Sequence, residues 1–183
     1  NDFITIIVIA ITVCVFVCIP CTFKFRRAFL VPEGYVGLLY HKGKFVEVLG
    51  AGRHIRWSRH YTIGAQDIRK TSLLVAGQDV LTADNVGLKL SLLVNYQVSD
   101  PVKAAHETQN WQGDLYNAAQ LALRTVVNGF AVETLLGQRL DIGAQLLARV
   151  QPEAAKIGVN VLAVEVKDVM FPADLKRAFS DVL

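Results

Sequence analysis

The chain has 183 residues, a net charge of +3 and an apolar content of 52%. Part of that slight positive charge sits in one cluster, Lys24, Arg26 and Arg27, so the broad basic face of a nucleic-acid-binding protein is missing and nucleic acid is not an expected partner. All three cysteines, Cys14, Cys18 and Cys21, fall in one apolar run, which leaves the rest of the chain without an internal disulfide.

That run, Phe3 to Phe23, contains no charged residue, and its only polar side chains are threonines and cysteines. As a helix rising about 1.5 Å per residue it would span roughly 30 Å, the thickness of a bilayer's hydrocarbon core. It is longer than the apolar core of a cleaved signal peptide and runs straight into cations rather than a small-residue cleavage site. A buried soluble helix would need apolar partners on every side. A single retained transmembrane anchor is therefore expected, with Pro20 bending or ending the helix one turn from its exit; a re-entrant hairpin is the alternative. Lys24, Arg26 and Arg27 mark the membrane boundary, and cations beside a span favour the cytoplasmic side. The reading is a single-pass membrane protein, with residues 28–183 in the cytoplasm.

The cysteines at i, i+4 and i+7 share a helix face but have no histidine or carboxylate beside them. They read as small apolar packing residues, with Cys21, closest to the basic boundary, as a candidate for S-acylation.

Beyond the anchor there remain about 155 residues, room for one modest domain or two small ones. From Val31 the texture is that of strands: Tyr35–Tyr40 and Phe45–Leu49 flank His41-Lys42-Gly43-Lys44, a compact hairpin turn. Gly50-Ala51-Gly52 is a second turn. The segment Arg53 to Tyr61 is basic and aromatic. Arg53, Arg56, Trp57, Arg59 and Tyr61 are candidates for contact with anionic headgroups; a solvated strand face is the other reading. Residues 66–76 form a further strand, and Asp84-Asn85 a turn. From Val86 to Val98 apolar residues then alternate with mostly polar ones, the mark of a long antiparallel strand with one buried face.

Asp100-Pro101 is a helix start, a capping carboxylate followed by proline in the first turn. Leu115, Ala118, Ala119, Ala122, Val126, Val127 and Phe130 recur at helical spacing. Another helix runs from about Asp141, with Leu147, Val150, Ala154 and Ile157 inward, a kink at Pro152 and an end at Gly158. Val159–Phe171 is a second long strand that buries Leu162, Val164 and Val166. Pro172 opens a last helix, with Asp174 early and Lys176 and Arg177 later, in accord with the helix dipole.

No catalytic constellation stands out. His41, His54, His60 and His106 lack metal-ligand spacing, there is no nucleophile elbow, and no cysteine lies outside the anchor. Asp79 and Asp84, and Asp168 and Asp174, are better explained as turn and cap residues than as acid–base pairs. No enzyme activity, metal or cofactor is expected.

Three segments, VPEGYVGLLYHKGKF (31–45), DVLTADNVGLKLSLLVNYQVSDPVKA (79–104) and GVNVLAVEVKDVMFPADLKRAF (158–179), occur in an order that resembles the stomatin/prohibitin/flotillin superfamily, the SPFH or band 7 domain, nearest to the bacterial stomatin-like slipins. LRTVVNGFAVETLLGQR (123–139) looks like the family's helix and turn before its long helix. The resemblance implies an α+β chain: a transmembrane anchor (1–27), a membrane-proximal SPFH subdomain (28–78), a second subdomain of antiparallel sheet with packed helices (79–171), and the start of a long coiled-coil helix (172–183). It further implies a non-enzymatic scaffold. Copies would assemble side by side into a homo-oligomeric ring or cage that encloses a membrane microdomain and organises lipids or membrane proteins, a membrane protease among them. Anchors in one bilayer hold all copies in one orientation, which suits a repeated head-to-tail contact. The alternative from another class is an accessory subunit that regulates a membrane protease or channel without forming a large cage.

Overall fold

The computed structural model describes residues 26–171 except 138, together with Thr12. The expected span Phe3–Phe23 (Thr12 apart), the boundary residue Lys24, the three cysteines and the helix from Pro172 lie outside these residues. Among the described residues no helix is long and apolar enough to cross a membrane. The chain divides into two compact units, Asn1–Asp67 and Ile68–Leu183. The expected subdomain boundary at 78/79 lies within the strand of residues 71–81, which pair with the second unit's central strand on both sides of a bulge between Val75 and Gln78.

The first unit contains β1 (Arg26–Val31), β2 (Tyr35–His41), β3 (Lys44–Leu49), β4 (Gly52–Trp57) and β5 (Tyr61–Asp67). β1 and β4 form an antiparallel ribbon, and the other three strands form a sheet in the order β3-β2-β5. Lys42 and Gly43 both take positive φ, 51° and 80°, the backbone that lets a two-residue hairpin follow the right-handed twist of its strands. Val31, Leu39 and Leu49 form the core, with Phe29, Tyr35, Tyr61 and Ile63 packed around them. A Cβ on Gly37 would stand 2.5 Å from Ile63 Cδ1 and 2.9 Å from Val31 Cγ2. Glycine is what lets β1 and β5 side chains close over β2 there.

Two expected strand limits shift. Strand structure already covers Arg26–Leu30, ahead of Val31, and residues 66–76 belong to two strands broken at Ile68–Lys70. Arg26-Arg27-Ala28 has no alternating apolar pattern. Its extended conformation comes from pairing with β4, a contact far away in sequence.

The second unit is built on a sheet in the order β6-β7-β8: β6 (Thr71–Leu81), β7 (Gly87–Val98) and β8 (Val159–Met170), all antiparallel. Helices α1 (Pro101–His106), α2 (Trp111–Val127), α3 (Val132–Gly137) and α4 (Arg139–Lys156) lie between β7 and β8 in sequence. Leu88, Leu90, Leu92, Val94, Tyr96 and Val98 of β7 are buried, as the alternation predicts. Leu88, Leu90, Leu92, Val94 and Tyr96 share one core with Leu115, Ala119, Leu123 and Val127 of α2 and with Ile142, Leu146, Val150 and Ala154 of α4. Each fully buried leucine contributes about 2 kcal/mol of transfer free energy. Burial along α4 thus includes Ile142 and Leu146, while Leu147 and Ile157 are only half-buried. Asp100 caps α1, accepting from the Val102 and Lys103 N–H groups.

Leu162, expected in the core, is 40% exposed. A β-bulge explains it. Val161 lies opposite Tyr96 and Val164 opposite Val94, with a register shift between them, so both valines point inward and the strict alternation breaks. Leu162 is turned out at the extra position.

Candidate functional site

In an antiparallel pair, residues directly opposite one another share a face. The β1–β4 register sets Arg26 opposite Trp57, Ala28 opposite Ile55 and Leu30 opposite Arg53. These six form the ribbon's outer face. On it Leu30 is 77% and Trp57 66% exposed, and Arg26 and Arg53 are exposed beside them. A face with an open leucine, an open tryptophan and two arginines suits the boundary between hydrocarbon and headgroups, where amphipathic aromatics and cations settle.

The inner face pairs Arg27 with Arg56 and Phe29 with His54. Arg56 donates to the Glu47 carboxylate and, at 3.1 Å, to the Ile55 carbonyl. His54 Nε2 lies 2.8 Å from the Gly50 carbonyl oxygen. Tyr61 is half-buried against the core and packs on His41, with ring centroids 4.6 Å apart.

The five residues of the basic–aromatic segment therefore separate. Arg53 and Trp57 lie on the outer face and Arg59 is exposed in the β4–β5 turn, whereas Arg56 and Tyr61 face the interior of the unit. Of the boundary residues, Arg26 faces outward opposite Trp57 and Arg27 is exposed opposite Arg56.

The fold joins the hairpin turn His41–Lys44 to the end of the basic–aromatic segment. His41 pairs with Tyr61 in the β2–β5 ladder, and the Lys42 N–H donates to the His60 carbonyl at 3.1 Å. The hairpin tip His41–Lys44 is thereby held against the turn Ser58–His60, at the same end of the unit as Arg26 and Trp57. The segments 41–44 and 56–61 contain no acidic residue. The one signal in sequence was the absence of acid from both segments, and it gave no reason to join them.

The rest of the molecule offers little chemistry. Asp79 lies opposite Lys89, Nζ to Oδ1 3.7 Å, with both side chains exposed. Asp168 lies opposite Ser91 on the outer face of the second sheet. Asp84 accepts from the Thr82 hydroxyl and, at 3.3 Å, from the Val132 N–H at the start of α3. The Thr82 hydroxyl, helped by backbone N–H groups and opposed by desolvation, holds the Asp84 carboxyl below the usual aspartate range. Asp79, Asp84 and Asp168 thus have separate structural surroundings. Among the described residues no cluster of histidine, cysteine and carboxylates is arranged to hold a metal. An open groove of about 680 Å³ at one end of the second sheet is lined largely by apolar side chains, including Leu81, Met170 and Phe171.

The family model described as the SPFH domain / Band 7 family matches residues 29–183. The chain belongs to this family. It is 29% identical over 151 residues to a stomatin homolog of Pyrococcus abyssi, covering 82% of this chain and 56% of that protein. An uncharacterized protein of Archaeoglobus fulgidus is 30% identical over 148 residues, 81% of this chain and 59% of its own length. Stomatin-1 of Caenorhabditis elegans is 26% identical over 176 residues, 96% of this chain and 51% of its own. The chain thus spans between half and three fifths of these relatives. The described residues form antiparallel sheets with packed helices, the α+β fold that the resemblance implied.

Proposed function

We propose that this SPFH chain is a membrane-anchored, non-catalytic scaffold subunit that homo-oligomerises into a ring or cage around a membrane microdomain, with its folded units in the cytoplasm. The observation that carries the membrane part is the outer face of the β1–β4 ribbon. Leu30 and Arg26 stand open there on β1, the strand that follows the apolar run Phe3–Phe23 in sequence, and Trp57 and Arg53 stand open beside them on its partner β4. The named stomatin relatives support the same reading.

For the oligomeric part, support comes from strand edges. β3 is an outer strand of its sheet, and Phe45, Val46 and Val48 on it are each more than a third exposed. An open apolar edge is a ready contact for another copy. Confinement in one bilayer raises the effective concentration for such lateral contacts. The enclosed clients are lipids and membrane proteins, a membrane protease being one class.

The test is the mass and shape of the full-length protein extracted in mild detergent, by size exclusion with light scattering and negative-stain imaging. Closed rings or domes of many copies are the expected result. A monomer or small complex that stays small across detergents would replace the cage with an accessory subunit acting on a protease or channel.

A further inference from the structure

We propose that the hairpin tip His41–Lys44 and the turn Ser58–His60 together form a binding site for the phosphate of acidic phospholipid headgroups. This rests on the reading that the first unit faces the membrane, and it assigns that end its ligand chemistry.

The two loops are one object. The Lys42 N–H donates to the His60 carbonyl at 3.1 Å, and the His60 N–H donates to the Ser58 hydroxyl at 3.2 Å. The His41 ring packs near both Tyr61, centroids 4.6 Å apart, and His60, 6.4 Å apart. This backbone and ring packing fixes the places from which Lys42, Lys44 and Arg59 extend. All three cations are exposed, and none makes an ion pair among the described residues. The carboxylate of Glu47, three residues along β3 from Lys44, is engaged by Arg56.

Three cations on two tethered loops, with no acid in either loop, favour an anion. Phosphate suits the set, since arginine offers a planar fork and lysines act as point charges. The lipid source follows from what adjoins the site. Trp57 immediately precedes Ser58 and opens onto the ribbon's outer face opposite Arg26. That face places an interfacial aromatic beside the phosphate-binding loops, as a headgroup requires and a freely diffusing phosphate does not.

The experiment reconstitutes the full-length chain into vesicles of phosphatidylcholine alone or of phosphatidylcholine with phosphatidylglycerol. It then follows backbone amide exchange in residues 41–44 and 58–61. Acidic vesicles should slow exchange there about tenfold, with each basic residue adding to the attraction, and high salt should reverse the effect. The variant K42Q/K44Q/R59Q should lose the protection, whereas the charge-matched control K70Q/K103Q/R124Q should keep it.

Equal exchange in neutral and acidic vesicles, or protection that survives the triple substitution, would overturn the proposal. Sodium phosphate reproducing the protection in neutral vesicles would overturn the lipid assignment. Flotation with the vesicles and particle size, measured on the same samples, separate these failures from a failure of the scaffold reading. A chain that does not float overturns both.

Discussion

Gly158 and Asp100 approach so closely that a Cβ on Gly158 would stand 2.3 Å from the Asp100 carbonyl oxygen. Gly158 ends α4 in the left-handed region, φ 73°, and its own carbonyl accepts the N–H groups of Ser99 and Asp100 at 3.0 and 2.9 Å. One residue thus closes the long helix, starts β8 and fixes the backbone from which Asp100 caps α1.

Gly158→Ala should therefore destabilise the second unit by about 2–4 kcal/mol, through the left-handed backbone and the clash together. The comparison is Gly137→Ala, where an added Cβ meets nothing within 4 Å. Urea unfolding followed by Trp111 fluorescence should show a lowered midpoint for the first variant and little change for the second. Equal midpoints would show that the junction relaxes at little cost.

The role of Gly158 as a helix end was legible in sequence, as were the Asp100-Pro101 start and the buried stripe of β7. Each depends on neighbours within a few residues. What was not legible depends on distant pairing. The bulge between Val161 and Val164 turns Leu162 outward because β8 must keep register with Tyr96 and Val94. A second bulge, between Val75 and Gln78 in β6, changes parity in the same way. In the candidate site, Arg26 and Trp57 are far apart in sequence and face each other only through the β1–β4 ladder. The basic segment could be picked out by composition, but which of its side chains face outward could not. Arg56 lies on the inner face because alternation along β4 starts from Gly52, and Tyr61 turns inward through the separate pairing of β5 with β2; nothing local fixes either.

Asp84 gives a pH dependence whose sign is determined. Its carboxyl is held below the usual aspartate range, first by the Thr82 hydroxyl. A carboxylate with a depressed folded-state value stabilises fully above its unfolded value, about pH 3.9. That stabilisation fades as pH falls through the folded value. Thermal midpoints should therefore drop more steeply below about pH 4 for the parent than for Asp84→Asn. At neutral pH the variant should be the less stable of the two. Parallel pH profiles would mean that Asp84 does not hold the start of α3 through its charge.

The Arg56–Glu47 pair joins β4 to β3, but both side chains keep substantial exposure, 31% and 45%. Solvent screening limits such a pair, so Glu47→Gln should cost less than about 1 kcal/mol. The cost should shrink further in high salt. Glu47→Lys should cost more, because it sets a third cation beside Arg56 and Arg27, which already lie opposite each other, and like charges facing each other repel. Chemical denaturation of both variants at low and high salt checks the order. A large, salt-independent loss in Glu47→Gln would point to packing rather than charge.

Gln78 joins the β6 bulge to α2. It is 9% exposed, donates to the Tyr116 hydroxyl at 3.0 Å and to the Ala76 carbonyl at 2.9 Å, and accepts from Gln120. Beside it the Gly77 N–H, in a left-handed turn with φ 61°, donates to the Ser91 hydroxyl at 3.1 Å. Truncating Gln78 to Ala would strand the Gln120 amide and the Tyr116 hydroxyl in a partly dry space, at a cost of about 1–3 kcal/mol. Tyr116→Phe removes one partner and should cost less, since the Gln78 amide keeps the Ala76 carbonyl. Because the two residues share a hydrogen bond, the double variant should lose less than the sum of the single losses. A double-mutant cycle in urea measures that difference. Strict additivity would mean that the Gln78–Tyr116 bond contributes nothing and that the apolar core alone holds α2 to the sheet.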